Sequence, residues 1–262
     1  GASALSAPSG RWLVYSTAPA LDTRGGLAYN FKQYGMSYSA TPYAGLGSGN
    51  GFIYSVAPSL TPSLIGTTGK VYDGTTVASL TSANYATAGA LDSDTIVLSS
   101  PATGAYADKN AGTGKDVSAT VALTGASNGS ASVYGYQLSS ATASGAIGTI
   151  TRAPLTVNAT GQNKVYDATP VTTVSLGDNR VSGDLLTLTY AGAAFADKNV
   201  GTAKPVTASG INITGTDAGN YTFNTTASTA ADITPAAVTA TSLTAQNKVY
   251  DATTLATISG GT

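Results

Sequence analysis

The chain has 262 residues, a formal net charge of -1 and only 10% charged side chains, and it contains no Cys, no His and no Glu. That balance argues against the basic face that nucleic-acid binding needs and against a polybasic membrane-surface segment. Without Cys or His there is no disulfide framework, and the commonest soft-metal ligands, nucleophiles and near-neutral proton carriers are missing, so no enzyme activity and no cofactor are expected.

Thr, Ser, Ala, Gly and Asn dominate instead. Thr favours strands because its β-branched side chain fits a pleated surface, and Gly and Asn supply turns. No apolar run reaches the roughly 18 residues that span a bilayer, so membrane insertion is not expected. No signal peptide is visible, and the chain reads as an interior or processed piece of something longer.

In chain order, residues 1–61 come first and are rich in aromatics: Trp12, Tyr15, Tyr29, Phe31, Tyr34, Tyr38, Tyr43, Phe52 and Tyr54. Arg11 to Ser16, Leu27 to Tyr34 and Gly51 to Val56 read as strands separated by Gly-rich turns. The large rings could seal the open end of a stacked sheet. A first repeat over 62–153 carries Lys70-Val71-Tyr72-Asp73-Gly74-Thr75-Thr76. A second over 154–236 carries Lys164-Val165-Tyr166-Asp167-Ala168-Thr169, and a third, truncated, begins in 237–262 with Lys248-Val249-Tyr250-Asp251-Ala252-Thr253. The period of about 90 residues is domain-sized rather than solenoid-sized. Midway through each complete repeat, Tyr106-Ala107-Asp108-Lys109-Asn110-Ala111-Gly112-Thr113 matches Phe195-Ala196-Asp197-Lys198-Asn199-Val200-Gly201-Thr202, and each is followed by an alternating stretch. Arg152-Ala153-Pro154 and Ile233-Thr234-Pro235 close the repeats, the Pro ending a strand.

In the second repeat Leu155 to Asn158, Val171 to Leu176, Leu186 to Tyr190 and Tyr221 to Asn224 alternate apolar and polar, as in an antiparallel sheet with one wet face. The fold class is therefore all-β: tandem small antiparallel β-sandwich domains preceded by an aromatic-rich β region. Asp217-Ala218-Gly219-Asn220-Tyr221 has the form of the tyrosine corner of immunoglobulin-like sandwiches, in which a Tyr hydroxyl bonds to upstream backbone. The first repeat departs from it, so its corner must be built differently. A β-grasp-like fold is the alternative.

Together these motifs resemble the YDG-type repeats of large bacterial exoproteins. Gly10 to Ser16, Asp22 to Leu27, Phe31 to Tyr34 and Gly49 to Phe52 resemble the segment that precedes such repeats in filamentous-haemagglutinin-like proteins. The resemblance implies a secreted adhesin on the cell surface of a Gram-negative bacterium, exported with an outer-membrane secretion partner and carrying an upstream β-helix that the 1–61 region would cap. It implies roles in adhesion, aggregation or biofilm formation, with a glycan, a matrix protein, a host or neighbouring-cell surface, or a second copy as partner. The stalk of a contact-dependent toxin is a further reading.

Among individual residues, Asp73, Asp167 and Asp251 are expected to make Asx turns while Tyr72, Tyr166 and Tyr250 pack on a sheet. Asp217 and Tyr221 belong to the corner. Asp108 and Asp197, each beside an Asn, and the Asp92–Asp94 pair are the residues a calcium ion would use. Neither an EF-hand ladder nor a Gly-Gly-x-Gly-x-Asp repeat accompanies them, so plain loops are the favoured reading. A Lys–Asn crosslink needs the two side chains to meet in an apolar core beside a carboxyl, which the adjacent pairs Lys109-Asn110 and Lys198-Asn199 do not arrange. Exposed Tyr38 and Tyr43 could stack on sugars, although packing of a capping sheet is favoured.

Overall fold

The computed structural model describes residues 5–39 and 45–260, which leaves Tyr43 outside the described residues. The protein is all-β: among the described residues the only helical elements are three-residue 3-10 turns. It divides into two compact units, the first made of Gly1–Ala153 with Val181–Asp184 and Gly219–Thr222, the second of Pro154–Arg180, Leu185–Ala218 and Phe223–Thr262.

The two repeats use the same strand plan. In the first, a five-stranded sheet runs in the order Thr68–Val71, Thr142–Thr151, Gly112–Thr120, Thr103–Tyr106, Val77–Ser79. In the second, the order is Lys164–Val165, Thr226–Thr234, Gly201–Ser209, Gly192–Phe195, Val171–Thr172. Beside each sheet lie antiparallel ladders: Ser59–Leu64 with Tyr85–Ala88 in the first unit, and Val157–Gly161 with Val174–Asp178 in the second. The alternation read from sequence places the core. Val117 and Ala119 on Gly112–Thr120 point inward between exposed or half-exposed neighbours, and Val206 and Ala208 do the same on Gly201–Ser209. Tyr106, Ala78, Ala143 and Ile150 are buried in the first repeat, and Phe195, Ala193, Ala231 and Ile233 in the second.

The pairing is mixed, not purely antiparallel. The opening strand of each sheet runs parallel to the closing one: Thr68–Val71 beside Gly148 to Thr151, and Lys164–Val165 beside Ile233 and Thr234. Period-2 alternation reports which face is buried and is blind to the direction of the neighbouring strand.

The aromatic region is not a separate layer. Leu13–Ser16, Gly51–Tyr54 and Phe31–Gln33 pair in parallel in that spatial order, and Phe31–Gln33 continues in parallel onto Ala131–Tyr134 of the first repeat. Leu123–Asn128 and Thr95–Leu98 complete this six-stranded sheet. The strand Ser59–Leu64 runs across the 61/62 junction. Tyr34, Phe52, Tyr54, Leu60, Val133 and Tyr136 form one buried cluster, with Trp12, Tyr29 and Ile96 packed against it. Residues 237–260 contribute a single two-stranded ladder, Thr244–Ala245 with Ile258–Ser259, and Val238, Val249, Tyr250 and Leu255 there are exposed.

A core built of small residues depends on close backbone approach. At Gly145, on Thr142–Thr151, a Cβ would lie 2.2 Å from the Leu64 carbonyl oxygen. Since that neighbour is backbone, Gly145→Ala is expected to lower stability by about 1–3 kcal/mol, the usual cost of overpacking. A urea titration of the variant against the parent chain measures it.

Candidate functional site

The Lys-Val-Tyr-Asp motif folds three times into one polar staple. In the first repeat Asp73 Oδ1 accepts the Thr75 N–H at 2.9 Å and the Thr75 hydroxyl at 2.9 Å, and Lys70 Nζ donates to the same oxygen at 2.7 Å and to the Thr75 carbonyl at 2.7 Å. In the second, Asp167 takes the Thr169 N–H at 2.9 Å and Lys164 Nζ at 2.7 Å. In the third, Asp251 takes the Thr253 N–H at 3.0 Å and Lys248 Nζ at 2.7 Å. The expected Asx turns are therefore present, each with a Lys three residues upstream as a second donor.

Ala168 and Ala252 do not change the turn. They adopt φ of 67° and 61°, close to the 78° of Gly74. A glycine is needed at position 74 for a local reason: a Cβ there would lie 2.9 Å from Val181 Cγ1. The tyrosines behave differently from one another. Tyr72 is buried and Tyr166 half-buried, whereas Tyr250 is 90% exposed, because 237–260 supplies no sheet to pack against.

The second motif makes a matching staple. Asp108 accepts the Asn110 N–H at 2.8 Å and Lys115 Nζ at 2.6 Å. Asp197 accepts the Asn199 N–H at 2.7 Å and also Lys204 Nζ. Lys115 and Lys204 follow their Asp at the same spacing, a recurrence visible in sequence but not read there. The two motifs then meet: Lys70 Nζ stands 5.6 Å from the centre of the Tyr106 ring, and Lys164 Nζ 5.9 Å from that of Phe195, a cation–π distance.

These ion pairs depress the carboxyls. Desolvation pushes Asp73 up, but Lys70 and Thr75 outweigh it and hold it below the ordinary range. Lys164, then the Thr169 N–H, bring Asp167 down to about 2. Lys115 and Lys204 likewise lower Asp108 and Asp197.

A second kind of site lies inside the first unit and occurs twice. In one copy the turn Leu91 to Asp94 closes through the Asp94 N–H on the Leu91 carbonyl at 2.9 Å. Asp92 and Ser93 hold it with φ of 52° and 56°, a left-handed pair uncommon outside glycine. The Leu91 N–H donates to the Tyr136 hydroxyl at 2.7 Å, which donates to Asp94 Oδ2 at 2.9 Å, and the Tyr34 hydroxyl donates to the same oxygen at 2.8 Å. Asp94 Oδ1 takes Asn128 Nδ2 at 2.8 Å and also Lys32 Nζ. Lys32 Nζ donates in addition to Asp92 Oδ2 at 2.7 Å, and Arg24 pairs with the other Asp92 oxygen. The Tyr29 hydroxyl donates to Asn128 Oδ1 at 2.8 Å. The side chains of Lys32 and Asp94 are both 0% exposed. Burial, reinforced by Asp94, pushes the Tyr136 hydroxyl up to about 12 and Tyr34 higher still. Desolvation raises Asp92, but Lys32 and Arg24 outweigh it and leave it lowered.

The other copy is the turn Val181 to Asp184. The Val181 N–H donates to the Tyr221 hydroxyl at 2.9 Å, Tyr221 donates to Asp184, Tyr72 donates to Asp184 Oδ2 at 2.8 Å, and Lys109 Nζ pairs with Asp184 Oδ1 at 3.0 Å. Tyr221 therefore does pin a corner, but through backbone 40 residues upstream, not a few. Its partner carboxylate is Asp184 rather than Asp217, which accepts the Leu185 N–H at 3.0 Å within the second unit. Tyr136 is the counterpart of Tyr221, the corner that the first repeat was expected to build differently.

The four calcium candidates are thus placed on protein donors: both oxygens of Asp92 and of Asp94 accept bonds, and one oxygen each of Asp108 and Asp197 holds a turn and a Lys. Among the described residues no three Asp side chains come together as a metal-holding group. Tyr38 is 74% exposed with its ring edge-on to Tyr15 at 5.3 Å.

Two outcomes are expected. Replacing Ala168 by Gly relieves a left-handed alanine and should raise stability by about 1 kcal/mol, read from the urea midpoint. Because the folded Asp167 carboxyl lies below its unfolded value of about 3.9, its staple contributes fully above about pH 4 and is lost as the pH falls toward 2. The urea midpoints of the parent chain and Asp167→Asn should therefore differ at neutral pH and converge in acid.

A family model described as the YDG domain matches this chain twice, over residues 57–143 and 151–230. No curated protein and no solved structure matches it.

Proposed function

We propose, on the premise that this chain belongs to the YDG domain family, that it is a structural spacer: the stalk of a secreted adhesin on a Gram-negative cell surface, of the filamentous-haemagglutinin-like, two-partner-secreted kind. The observation that carries this reading is the fate of the repeated polar residues. Lys70, Asp73 and Thr75, Lys164, Asp167 and Thr169, and the Asp108–Lys115 and Asp197–Lys204 pairs all bind one another inside their own repeat. These Asp side chains are about half exposed, but each is held by a Lys and a backbone N–H of its own repeat, where a recognition motif would leave it open to a ligand. Here their recurrence reproduces one fold. Five surface concavities among the described residues are lined by Ser, Thr, Ala, Gly, Val, Leu, Ile, Pro and Tyr, which favours a scaffold over a catalyst.

The repeat itself is best read as an immunoglobulin-like sandwich. Among the described residues the only helical elements are three-residue turns, which favours the sandwich over a β-grasp, in which a helix crosses the sheet. The export partner at the outer membrane and a role in adhesion, aggregation or biofilm rest on the sequence resemblance over Gly10 to Phe52 and on the repeats.

The test is a replacement in the parent protein. Because Ser59–Leu64 crosses the 61/62 junction, residues 1–236 are exchanged together for unrelated β domains of equal length, and surface display and cell attachment are both measured. Attachment should persist at the parental level. Attachment lost with display intact would assign recognition of a glycan, a matrix protein or a second copy to this region itself.

A further inference from the structure

We infer that Lys32 and Asp94 are the two ends of an intramolecular amide crosslink that forms autocatalytically in the folded first unit. The two side chains are fully buried and in direct contact, between a strand of the aromatic region and a turn of the first repeat. Even with its hydrogen-bond partners, an ion pair is an expensive occupant of such a place, because each ion forfeits its hydration. An amide removes both charges while keeping the contact.

The surroundings supply what the bond-forming step needs. Asp94 Oδ2 holds two hydroxyl donors, Tyr34 at 2.8 Å and Tyr136 at 2.9 Å. Both are aimed at the oxygen on which charge develops when a nucleophile adds to Cγ, the geometry of an oxyanion hole. Asp94 Oδ1 faces Lys32 Nζ and Asn128 Nδ2. Asp92 Oδ2, 2.7 Å from Nζ, is placed to carry a proton away from the ammonium. The left-handed backbone at Asp92 and Ser93 brings both carboxylates to the same amine.

The step balances without any other reactant. The ammonium gives one proton to Asp92 and its nitrogen adds to Asp94 Cγ, forming the Nζ–Cγ bond. The Cγ–Oδ1 bond breaks, and Oδ1 leaves as water with two of the three ammonium protons, one relayed through Asp92. Oδ2 remains as the amide carbonyl under the two tyrosine hydroxyls. Charge falls from one cation and one anion to none. Holding both reactants in contact in a site closed to water supplies the orientation that a bimolecular reaction lacks. Lys109 and Asp184 make a matched comparison. Two tyrosine hydroxyls again sit on the carboxylate, but the Lys109 side chain is 37% exposed, so water competes for the amine and no bond is assigned there.

The experiment is mass spectrometry on the purified 262-residue chain under denaturing conditions. The intact mass is expected to be lower than the sequence mass by one water. Trypsin should no longer cut after Lys32, and peptides 25–70 and 71–109 should travel as one branched species joined at Lys32 and Asp94. Lys32→Arg should restore the full mass. Asp92→Asn, which is nearly isosteric, should slow the mass loss at least tenfold in newly purified chain, so the proposal stays testable if the arginine variant folds poorly. An intact full mass with free cleavage after Lys32 would leave a plain ion pair and overturn the inference. So would a water loss confined to one linear peptide, or a loss of ammonia with Asn128 in the bridge.

Discussion

An aspartate reaching forward to the N–H two residues ahead, while a lysine ammonium lies on the same oxygen, is the interaction on which this protein depends. It requires a carboxylate on one methylene: a longer side chain does not close that ring onto its own backbone as readily. This accounts for Asp rather than Glu at the staple positions. With so few charges, and many small residues in the core of each repeat, hydrophobic burial alone leaves the turns underdetermined, and the staples at Asp73, Asp108, Asp167 and Asp197 fix them. The lysines contribute twice, because the stems of Lys70 and Lys164 also carry the cation over the aromatic ring that opens the second motif.

What was legible in the sequence follows from range. The Asx turns involve residues two and three apart and were readable from Asp73-Gly74-Thr75 alone. The inward positions Val117, Ala119, Val206 and Ala208 followed from alternation. Ala168 and Ala252 stand where the first repeat has Gly74, yet the backbone keeps the left-handed conformation, since the Lys–Asp–Thr bonds hold it there against the preference of alanine.

What was not legible is long-range or directional. Lys32 and Asp94 stand in different regions of the chain, and nothing in the spacing of either announces the other. Asp92 and Asp94 read as a bare acidic pair because the lysine that occupies them comes from a strand paired in parallel through Phe31–Gln33 and Ala131–Tyr134. The corner Tyr136 was hidden for a related reason: its hydroxyl answers to a turn far upstream, so the local Asp-Ala-Gly-Asn-Tyr pattern of the second repeat had no counterpart to match. The common signal in both copies was the aspartate before an alternating strand, Asp94 before Thr95–Leu98 and Asp184 shortly before Thr187–Thr189.

The parallel pairing of each repeat's opening and closing strands sets how a repeat answers to load. Within each five-stranded sheet the chain enters through Thr68–Val71 and leaves through the end of Thr142–Thr151, and likewise through Lys164–Val165 and Thr226–Thr234, behind the antiparallel ladders of Ser59–Leu64 and Val157–Gly161. In a parallel pair the leading end of one strand and the trailing end of the other lie at opposite extremities of the shared ladder. Tension that reaches this pair therefore pulls the two strands lengthwise past each other, loading their hydrogen bonds together rather than peeling them one at a time. A repeat made of small, weakly packing side chains can in this way resist extension through the direction of its backbone ladder.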